Sequence, residues 1–224
     1  MISPYYSDDL VTLFLGDCRE ITAWLAADVL VCDPPYGRKF RRAQNHTGSS
    51  FFGDAAGIAG DESTRVRDDA LTLWGARPAV VFGDLTLPPV DGVKQVLVYR
   101  KPGNAGSFGT VSAWRRDIEA VYLAGKWPTD GTVSGGRSSV IVTGAAHTRL
   151  IDGNRYGHPH AKPVDVMETL IQACPAGTIA DPFAGSGSTL VAARNLGRRA
   201  IGVELEERYA EKAARRLDQM ALAL

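Results

Sequence analysis

Short apolar runs alternate with helical patterns along most of the 224-residue chain. Runs of apolar and β-branched residues between polar segments are typical of buried strands. The runs are residues 11–15, 29–32, 79–82, 96–99, 118–123, 178–180 and 200–203, and residues 140–142 are a candidate for a short extra strand. Strands that alternate with helices predict an α/β fold with a mostly parallel sheet.

The helical patterns place apolar residues three and four positions apart, on one face of each predicted helix. They cover residues 20–27, 64–74 and 188–196, a segment that begins near Pro163, and the C-terminal segment from Glu206. Proline is favoured in the first turn of a helix, which supports a start near Pro163. Gly197 ends the pattern of residues 188–196.

Length and composition indicate a single globular domain over residues 1–224. Hydrophobic residues make up 45% and charged residues 22% of the chain, which is ordinary for such a domain. Because no apolar run is long enough for a membrane span and the first ten residues do not resemble a signal peptide, we predict a cytoplasmic protein without a membrane partner. Cys18, Cys32 and Cys174 are scattered and form no CxxC pair, so we expect reduced thiols.

A glycine-rich turn, TIADPFAGSGST, spans residues 178–189 after a predicted strand. Its small residues let a ligand approach the backbone at the carboxyl end of the strand. The next predicted strand ends at Glu204, which is placed to accept hydrogen bonds from ribose hydroxyls. The spacing is neither a GxGxxG dinucleotide motif nor a Walker loop, so alone it indicates either a nucleotide site or a packing feature.

The segment VLVCDPPYG, residues 29–37, is the sharpest chemical feature. An exocyclic amine on a nucleobase is a poor nucleophile, because its lone pair is delocalised into the ring. The Asp33 carboxylate and the Pro34 carbonyl could accept its two N–H groups, localise that lone pair and stabilise the developing positive charge. Pro34 and Pro35 restrict the backbone, and Tyr36 could stack on the base. The alternative is a turn that ends a strand and carries an incidental tyrosine.

Three motifs occur in a fixed order: DPPY (33–36), HPHAKP (158–163) and DPFAGSGST (181–189). Together they resemble the DNA amino-methyltransferases in the permuted β arrangement, whose catalytic half precedes the cofactor half. The resemblance implies the three-layer S-adenosylmethionine-dependent methyltransferase fold, with a seven-stranded, mostly parallel sheet and helices on both faces. It divides the domain into a catalytic half (1–126), a short target-recognition segment (127–157) and a cofactor-binding half (158–224).

The resemblance also implies roles for individual residues. The catalytic residues would be Asp33, Pro34, Pro35 and Tyr36, and S-adenosylmethionine would be bound by Asp17, Lys162, Pro163, Asp181, Phe183, Gly185, Gly187, Ser188 and Glu204. In this set Asp17 lies near the cofactor adenine, and Lys162 and Pro163 flank its methionine end. His160 and Ala161 depart from the Thr-Gln that the family usually has at these positions.

An aspartate at the first position of DPPY leans toward adenine in this family. We therefore expect methylation of the N6 amine of an adenine flipped out of double-stranded DNA, with N4 of cytosine as the alternative. A protein-glutamine methyltransferase and a non-catalytic nucleic-acid-binding module are weaker alternatives. Whether the protein forms a homodimer or works beside a restriction endonuclease stays open.

A basic cluster, Arg38, Lys39, Arg41 and Arg42, directly follows DPPY, although the net charge of the chain is zero. We expect the cluster to bind DNA phosphates around the extruded nucleotide, and the alternative is a solvated basic loop. His158 and His160 lack a third ligand at suitable spacing, so we predict no metal site.

Overall fold

The computed structural model describes residues 2–38, 59–102, 111–128, 136–143 and 161–221. The strands are β1 (Tyr6–Ser7), β2 (Val11–Leu15), β3 (Val29–Cys32), β4 (Ala79–Gly83), β5 (Val93–Arg100), β6 (Ile118–Ala124), β7 (Val140–Val142), β8 (Ile179–Asp181) and β9 (Ala200–Glu204). The helices are α1 (Arg65–Trp74), α2 (Val164–Gln172), α3 (Ser188–Asn195) and α4 (Glu207–Ala221), with a short 3₁₀ helix at Ala23–Ala26.

The strands form one sheet in the order β1-β2-β9-β8-β3-β4-β6-β5-β7. Only β1 and β6 run antiparallel to their neighbours in these pairings, so the expected mostly parallel sheet is present. The expected count of seven strands is wrong, because nine strands are paired in the described part of the chain. The candidate strand at residues 140–142 is present as β7 at one edge of the sheet. The strand β1 at the other edge was not predicted, because a segment of two residues is too short to show a reliable hydrophobic period.

Side chains of the central strands alternate between two cores, because successive residues of a strand point to opposite faces. In β3, Val29 and Val31 pack into the core beneath α2, α3 and α4. Leu30 and Cys32 pack into the opposite core, beneath α1 and the 3₁₀ helix. The molecule therefore has the three layers, with helices on both faces of the sheet, that the resemblance implied.

The helices α1 to α4 lie within one or two residues of their predicted positions. The helix expected at residues 20–27 is instead the 3₁₀ helix Ala23–Ala26, because a single short turn cannot sustain a cooperative α-helix. Its chain leaves in an extended conformation at Ala27 and enters β3. None of the described helices is long and apolar enough to cross a membrane.

The sheet order brings several separate segments together along one edge of the sheet, the edge formed by the carboxyl ends of the parallel strands. The parallel neighbours β2, β9, β8 and β3 all end there, as does β4. Because β6 is antiparallel to β4, the beginning of β6 lies at the same edge. Open α/β sheets bind ligands outside the carboxyl ends of their strands, so this edge is where a site is expected.

Candidate active site

Asp33 directly follows β3, and its carboxylate contacts one residue close in sequence and one that is distant. Its Oδ1 accepts a hydrogen bond of 2.7 Å from the Tyr36 hydroxyl, and its Oδ2 accepts one of 2.6 Å from the Lys162 ammonium group. The side chain of Asp33 keeps 25% of its surface exposed, so another donor can still reach it. Asp33 of the DPPY motif thus meets Lys162 of the HPHAKP motif, 129 positions later in the chain.

Two further charged side chains, Glu119 and Lys101, extend this series of ion pairs. The Lys162 Nζ atom lies 3.1 Å from Glu119 Oε2, and the Lys101 Nζ atom lies 2.5 Å from Glu119 Oε1. We call the alternating series Asp33, Lys162, Glu119 and Lys101 the charge chain. Glu119 was missed by the sequence analysis, although a charged residue inside an otherwise apolar strand pattern is a signal that could have found it.

The protonation states of these groups follow from burial and from their partners. Burial, which disfavours the charged form, raises the pKa of the Asp33 carboxyl group. Burial opposes the charge on Lys162, but the carboxylates of Asp33 and Glu119 outweigh it and raise the lysine pKa. Burial and the Asp33 charge raise the pKa of Tyr36 well above its ordinary value. Tyr36 and Lys162 therefore keep their protons and donate, which leaves Asp33 as the acceptor that faces the edge.

The backbone after Tyr36 is held by an acidic residue that the sequence analysis also missed. The amides of Gly37 and Arg38 donate hydrogen bonds of 2.8 and 3.2 Å to Asp61 Oδ1, and Asp61 is only 3% exposed. Gly37 has a φ of 77°, and a Cβ atom there would lie 2.8 Å from the carbonyl carbon of Ser63. Only glycine suits this close approach, so the segment around Asp61 fixes the end of the DPPY loop.

Two buried carboxylates shape the glycine-rich turn between β8 and α3. Asp181 Oδ1 accepts a hydrogen bond of 3.0 Å from the Phe183 amide, and Glu204 Oε2 accepts one of 2.7 Å from the Gly185 amide. Gly187, with a φ of 81°, caps α3, and its Cα approaches α4 so closely that a Cβ would meet Ala213 at 2.9 Å. The Asp181 and Glu204 carboxylates therefore fix the backbone of this turn through its amides.

The other residues predicted to bind the cofactor lie at or near the same edge. Asp17 follows β2 and forms an ion pair of 2.6 Å with Arg19, which lowers the pKa of the Asp17 carboxyl group. Ser188 is buried, with its hydroxyl 3.3 Å from Arg216 Nη1 on α4. Pro163 caps the N-terminus of α2, next to Lys162. The contacts of all these residues with a cofactor stay predictions.

The basic cluster is only partly within the described residues. Arg38 forms an ion pair with the Asp84 carboxylate and donates a hydrogen bond of 2.6 Å to the Thr86 hydroxyl. The other members, Lys39, Arg41 and Arg42, lie outside the described residues, as do His158, His160 and most of the segment 127–157. No group of three or more metal-ligating side chains occurs in the part of the chain that the structure describes.

Comparison with known proteins places the chain in a family. A family model described as DNA methylase, for the N6/N4 methyltransferases, matches residues 89–215, more than half of the chain. The chain belongs to this family. The Escherichia coli (strain K12) protein YubD is 30% identical over 224 residues, which cover 93% of this chain and 91% of YubD. The type II methyltransferase M.ScaI of Streptomyces caespitosus is 38% identical over 86 residues, 38% of this chain and 27% of M.ScaI.

Solved methyltransferase structures share the fold. The M1.HpyAVI–SAM complex aligns with a TM-score of 0.63 at 20% identity, over 93% of this chain and all of that chain. The cytosine-N4-specific PvuII DNA methyltransferase also has a TM-score of 0.63, at 13% identity, over 95% of this chain and 88% of that one. At these identities the likeness concerns the fold alone. The expected cofactor is confirmed for the family, which uses S-adenosylmethionine as methyl donor.

The side chains at the strand ends fit the chemistry of this cofactor. Asp17, Asp33, Asp181 and Glu204 follow or end the four adjacent strands β2, β3, β8 and β9. Carboxylates attract the sulfonium and ammonium groups of S-adenosylmethionine and accept hydrogen bonds from its ribose hydroxyls. Glu204 and the glycine-rich turn would bind the ribose of the cofactor. They lie between Asp17 and Asp33, because β9 and β8 lie between β2 and β3 in the sheet.

Asp181 makes folding stability depend on pH. Burial raises the pKa of its carboxyl group to about 7. Its folded pKa thus exceeds the unfolded one, so its stabilising contribution is complete below the unfolded pKa and is lost as the pH rises through about 7. The side chain of Asp181→Asn cannot ionise. We therefore expect the free energy of unfolding of this variant, relative to that of the wild type, to be about 2–3 kcal/mol higher at about pH 8 than at about pH 5. Urea unfolding at both pH values measures this gain, and an equal difference at both would contradict the prediction.

Proposed function

We propose that this methylase transfers a methyl group from S-adenosylmethionine to the exocyclic N6 amine of an adenine flipped out of double-stranded DNA. The observation that supports the proposal is Asp33, the first residue of DPPY, at the carboxyl ends of the parallel strands with its carboxylate bonded to Tyr36 and Lys162. Base chemistry on a duplex requires extrusion of the target nucleotide, which unstacks it and exposes its amine. The membership of the family supports DNA as the substrate.

S-adenosylmethionine supplies an electrophilic methyl group on a sulfonium centre. The protein's part is to prepare the amine. The Asp33 carboxylate accepts one amine N–H and the Pro34 carbonyl accepts the other, which localises the lone pair on nitrogen. A carboxylate has about four acceptor positions, so Asp33 can receive the amine while it keeps Tyr36 and Lys162 as donors. Its negative charge stabilises the positive charge that develops on the nitrogen.

The amine must afterwards lose one proton. The N–H bond breaks with its electron pair left on nitrogen, and Asp33 receives the proton. Asp33 suits this step because surrounding protein raises its pKa, whereas Tyr36 and Lys162 already hold their protons. Tyr36, whose hydroxyl is tied to Asp33, presents its ring for stacking on the extruded base.

Mass analysis of nucleosides tests the base. Unmethylated DNA is incubated with the protein and isotopically labelled S-adenosylmethionine, digested, and its nucleosides separated. We expect labelled N6-methyladenine. Labelled N4-methylcytosine would overturn the choice of base and favour the alternative, which is the base specificity of the PvuII DNA methyltransferase that shares this fold. DNA without label would overturn the activity, provided that the protein binds the cofactor.

Glu204 should govern cofactor affinity. Its carboxylate already accepts the amides of Gly185 and Glu206, so Glu204→Ala removes an acceptor for ribose and also loosens the turn. We expect the dissociation constant for S-adenosylmethionine to rise roughly 10- to 100-fold, since a charged hydrogen bond contributes about 1.5–3 kcal/mol. Titration calorimetry measures it, with the exposed Glu207→Ala as a matched control. Equal affinity in both variants would show that Glu204 does not bind the ribose.

The basic cluster should set the salt dependence of DNA binding. We expect replacement of Arg38, Lys39, Arg41 and Arg42 by Ala to weaken DNA binding and to flatten the log–log plot of affinity against salt by about 0.9 per lost phosphate contact. Arg38 contributes only if DNA draws it away from Asp84. Fluorescence anisotropy at several salt concentrations measures the slope, with the exposed Arg215→Ala as control. A slope equal to that of the control would contradict the prediction and favour the alternative, in which the cluster is solvated and does not bind DNA phosphates.

A further inference from the structure

Glu119 has an unusual position for a carboxylate that no part of the proposed reaction uses. It lies at the start of β6, and the antiparallel course of β6 brings it to the same edge as Asp33. Only 14% of its side chain is exposed, and one lysine faces each of its oxygens. Its Oε2 accepts no hydrogen bond of good geometry from the described residues, so its contact with Lys162 is an ion pair.

The charge chain contains a second ion pair that is not needed to neutralise the first. Asp33 and Lys162 would neutralise each other at 2.6 Å without any further partner. Glu119 and Lys101 add a second pair of opposite charges, and taking charges out of water carries a desolvation penalty that ion pairs often fail to recover. Glu119 is therefore poorly explained as a stabilising residue alone.

The Lys162 ammonium group lies between two carboxylates, which restricts the positions it can take. A lysine ammonium is a compact charge on a flexible stem, so a single carboxylate leaves it free to move around both oxygens. Here Nζ lies 2.6 Å from Asp33 Oδ2 and 3.1 Å from Glu119 Oε2, and the ring of Phe82 has its centroid 4.9 Å from Nζ. Asp33 is thereby left with unoccupied acceptor positions for a target amine.

We propose that Glu119 is a positioning residue for methyl transfer, which holds the Lys162 ammonium group on one oxygen of Asp33 so that the carboxylate stays oriented toward the target amine. This inference rests on the proposed function, because it concerns the acceptor that the amine meets. Lys101, on the far oxygen of Glu119, keeps Glu119 charged: although burial acts the other way, the two lysines hold the pKa of Glu119 below its ordinary value.

The test compares Glu119→Gln, Lys162→Gln and the double variant with the wild type. We expect Glu119→Gln to lower the single-turnover rate at saturating cofactor by about 10²-fold, the scale of a misplaced catalytic group, with cofactor affinity within about twofold. Because Glu119 acts through Lys162, adding Glu119→Gln to Lys162→Gln should change the rate by less than about threefold. A wild-type rate in Glu119→Gln, or additive losses in the double variant, would overturn the proposal.

Two controls separate positioning from folding. Asp117→Asn removes the same charge two positions earlier in the chain, beside Arg115, and should leave the rate unchanged. Glu119→Asp keeps the charge but shortens its reach, and its thermal unfolding should resemble that of the wild type. We expect a reduced rate in folded Glu119→Asp. Should Glu119→Gln fail to fold, a full rate in Glu119→Asp would overturn the proposal.

A titration distinguishes failure of this inference from failure of the proposed function. If the wild type methylates no DNA, carbon-13 NMR can still follow the Asp33 carboxyl group. The titratable groups that interact with it are the neutral Tyr36, Lys162, Glu119 and, from β8, Asp181. Since the Glu119 charge raises the pKa of Asp33, Glu119→Gln should shift its titration to lower pH. An unchanged titration would overturn the coupling whatever the substrate.

Discussion

Replacing Asp33 by Ala is expected to slow methyl transfer by at least about 10²-fold while cofactor affinity stays within a few-fold. Asp33 is the acceptor that meets the target amine and takes its charge, and loss of one preorganised electrostatic group typically raises a barrier by about 3 kcal/mol or more. The Glu204 carboxylate and the glycine-rich turn, which would hold the cofactor, make no hydrogen bond to Asp33 among the described residues. Their geometry should survive the substitution.

Single-turnover rates at saturating S-adenosylmethionine, with cofactor binding by calorimetry, check this expectation. Asp33→Asn is the isosteric comparison: it keeps an acceptor oxygen but loses the charge, so its rate should also fall sharply. Asp9→Ala removes a carboxylate at an exposed position and should keep the full rate. An Asp33→Ala variant that retained more than about a tenth of the rate would show that the charge on Asp33 is not needed.

The second large effect concerns folding. Lys162→Met should lower the free energy of unfolding by about 3 kcal/mol near neutral pH, because it leaves the Asp33 and Glu119 carboxylates without the ammonium group between them. The folded pKa of Lys162 is raised above its unfolded value, so its contribution is complete at neutral pH and is lost only as the pH rises through the folded pKa.

The same substitution has a predicted pH dependence. Without Lys162, the pKa values of both carboxyl groups should rise, and at acidic pH both groups can become neutral. The deficit in stability should therefore shrink as the pH falls from about 8 to about 5. Urea unfolding of Lys162→Met and of the exposed control Lys94→Met measures it, and the control should stay within about 0.5 kcal/mol of the wild type. A deficit below about 1 kcal/mol near neutral pH would contradict the role assigned to the ammonium group.

Much of the fold could be predicted from the sequence because it depends on local periodicity. The apolar runs of residues 29–32 and 200–203 correspond to β3 and β9, and the spacing of apolar residues predicted α1, α2, α3 and α4. The DPPY loop and the glycine-rich turn are contiguous in sequence, and their conformations follow from proline and glycine within them. The resemblance built on these motifs predicted the family correctly.

Contacts between distant parts of the chain could not be predicted in this way. The sequence contains Asp33, Lys162 and Glu119, but only the sheet order and the antiparallel course of β6 bring them together. The pairing of Arg38 with Asp84 and the hold of Asp61 on the DPPY loop depend likewise on segments that meet at one edge.

The sequence by itself thus determined most of the strands, the four α-helices, the motifs and the family of this protein. The tertiary structure decided which charges share one low-dielectric site, and therefore which protons each group keeps. The physical reason is one of range. Backbone conformation and hydrophobic alternation are set by neighbouring residues, whereas the energy of a buried charge depends on partners that only the assembled sheet supplies.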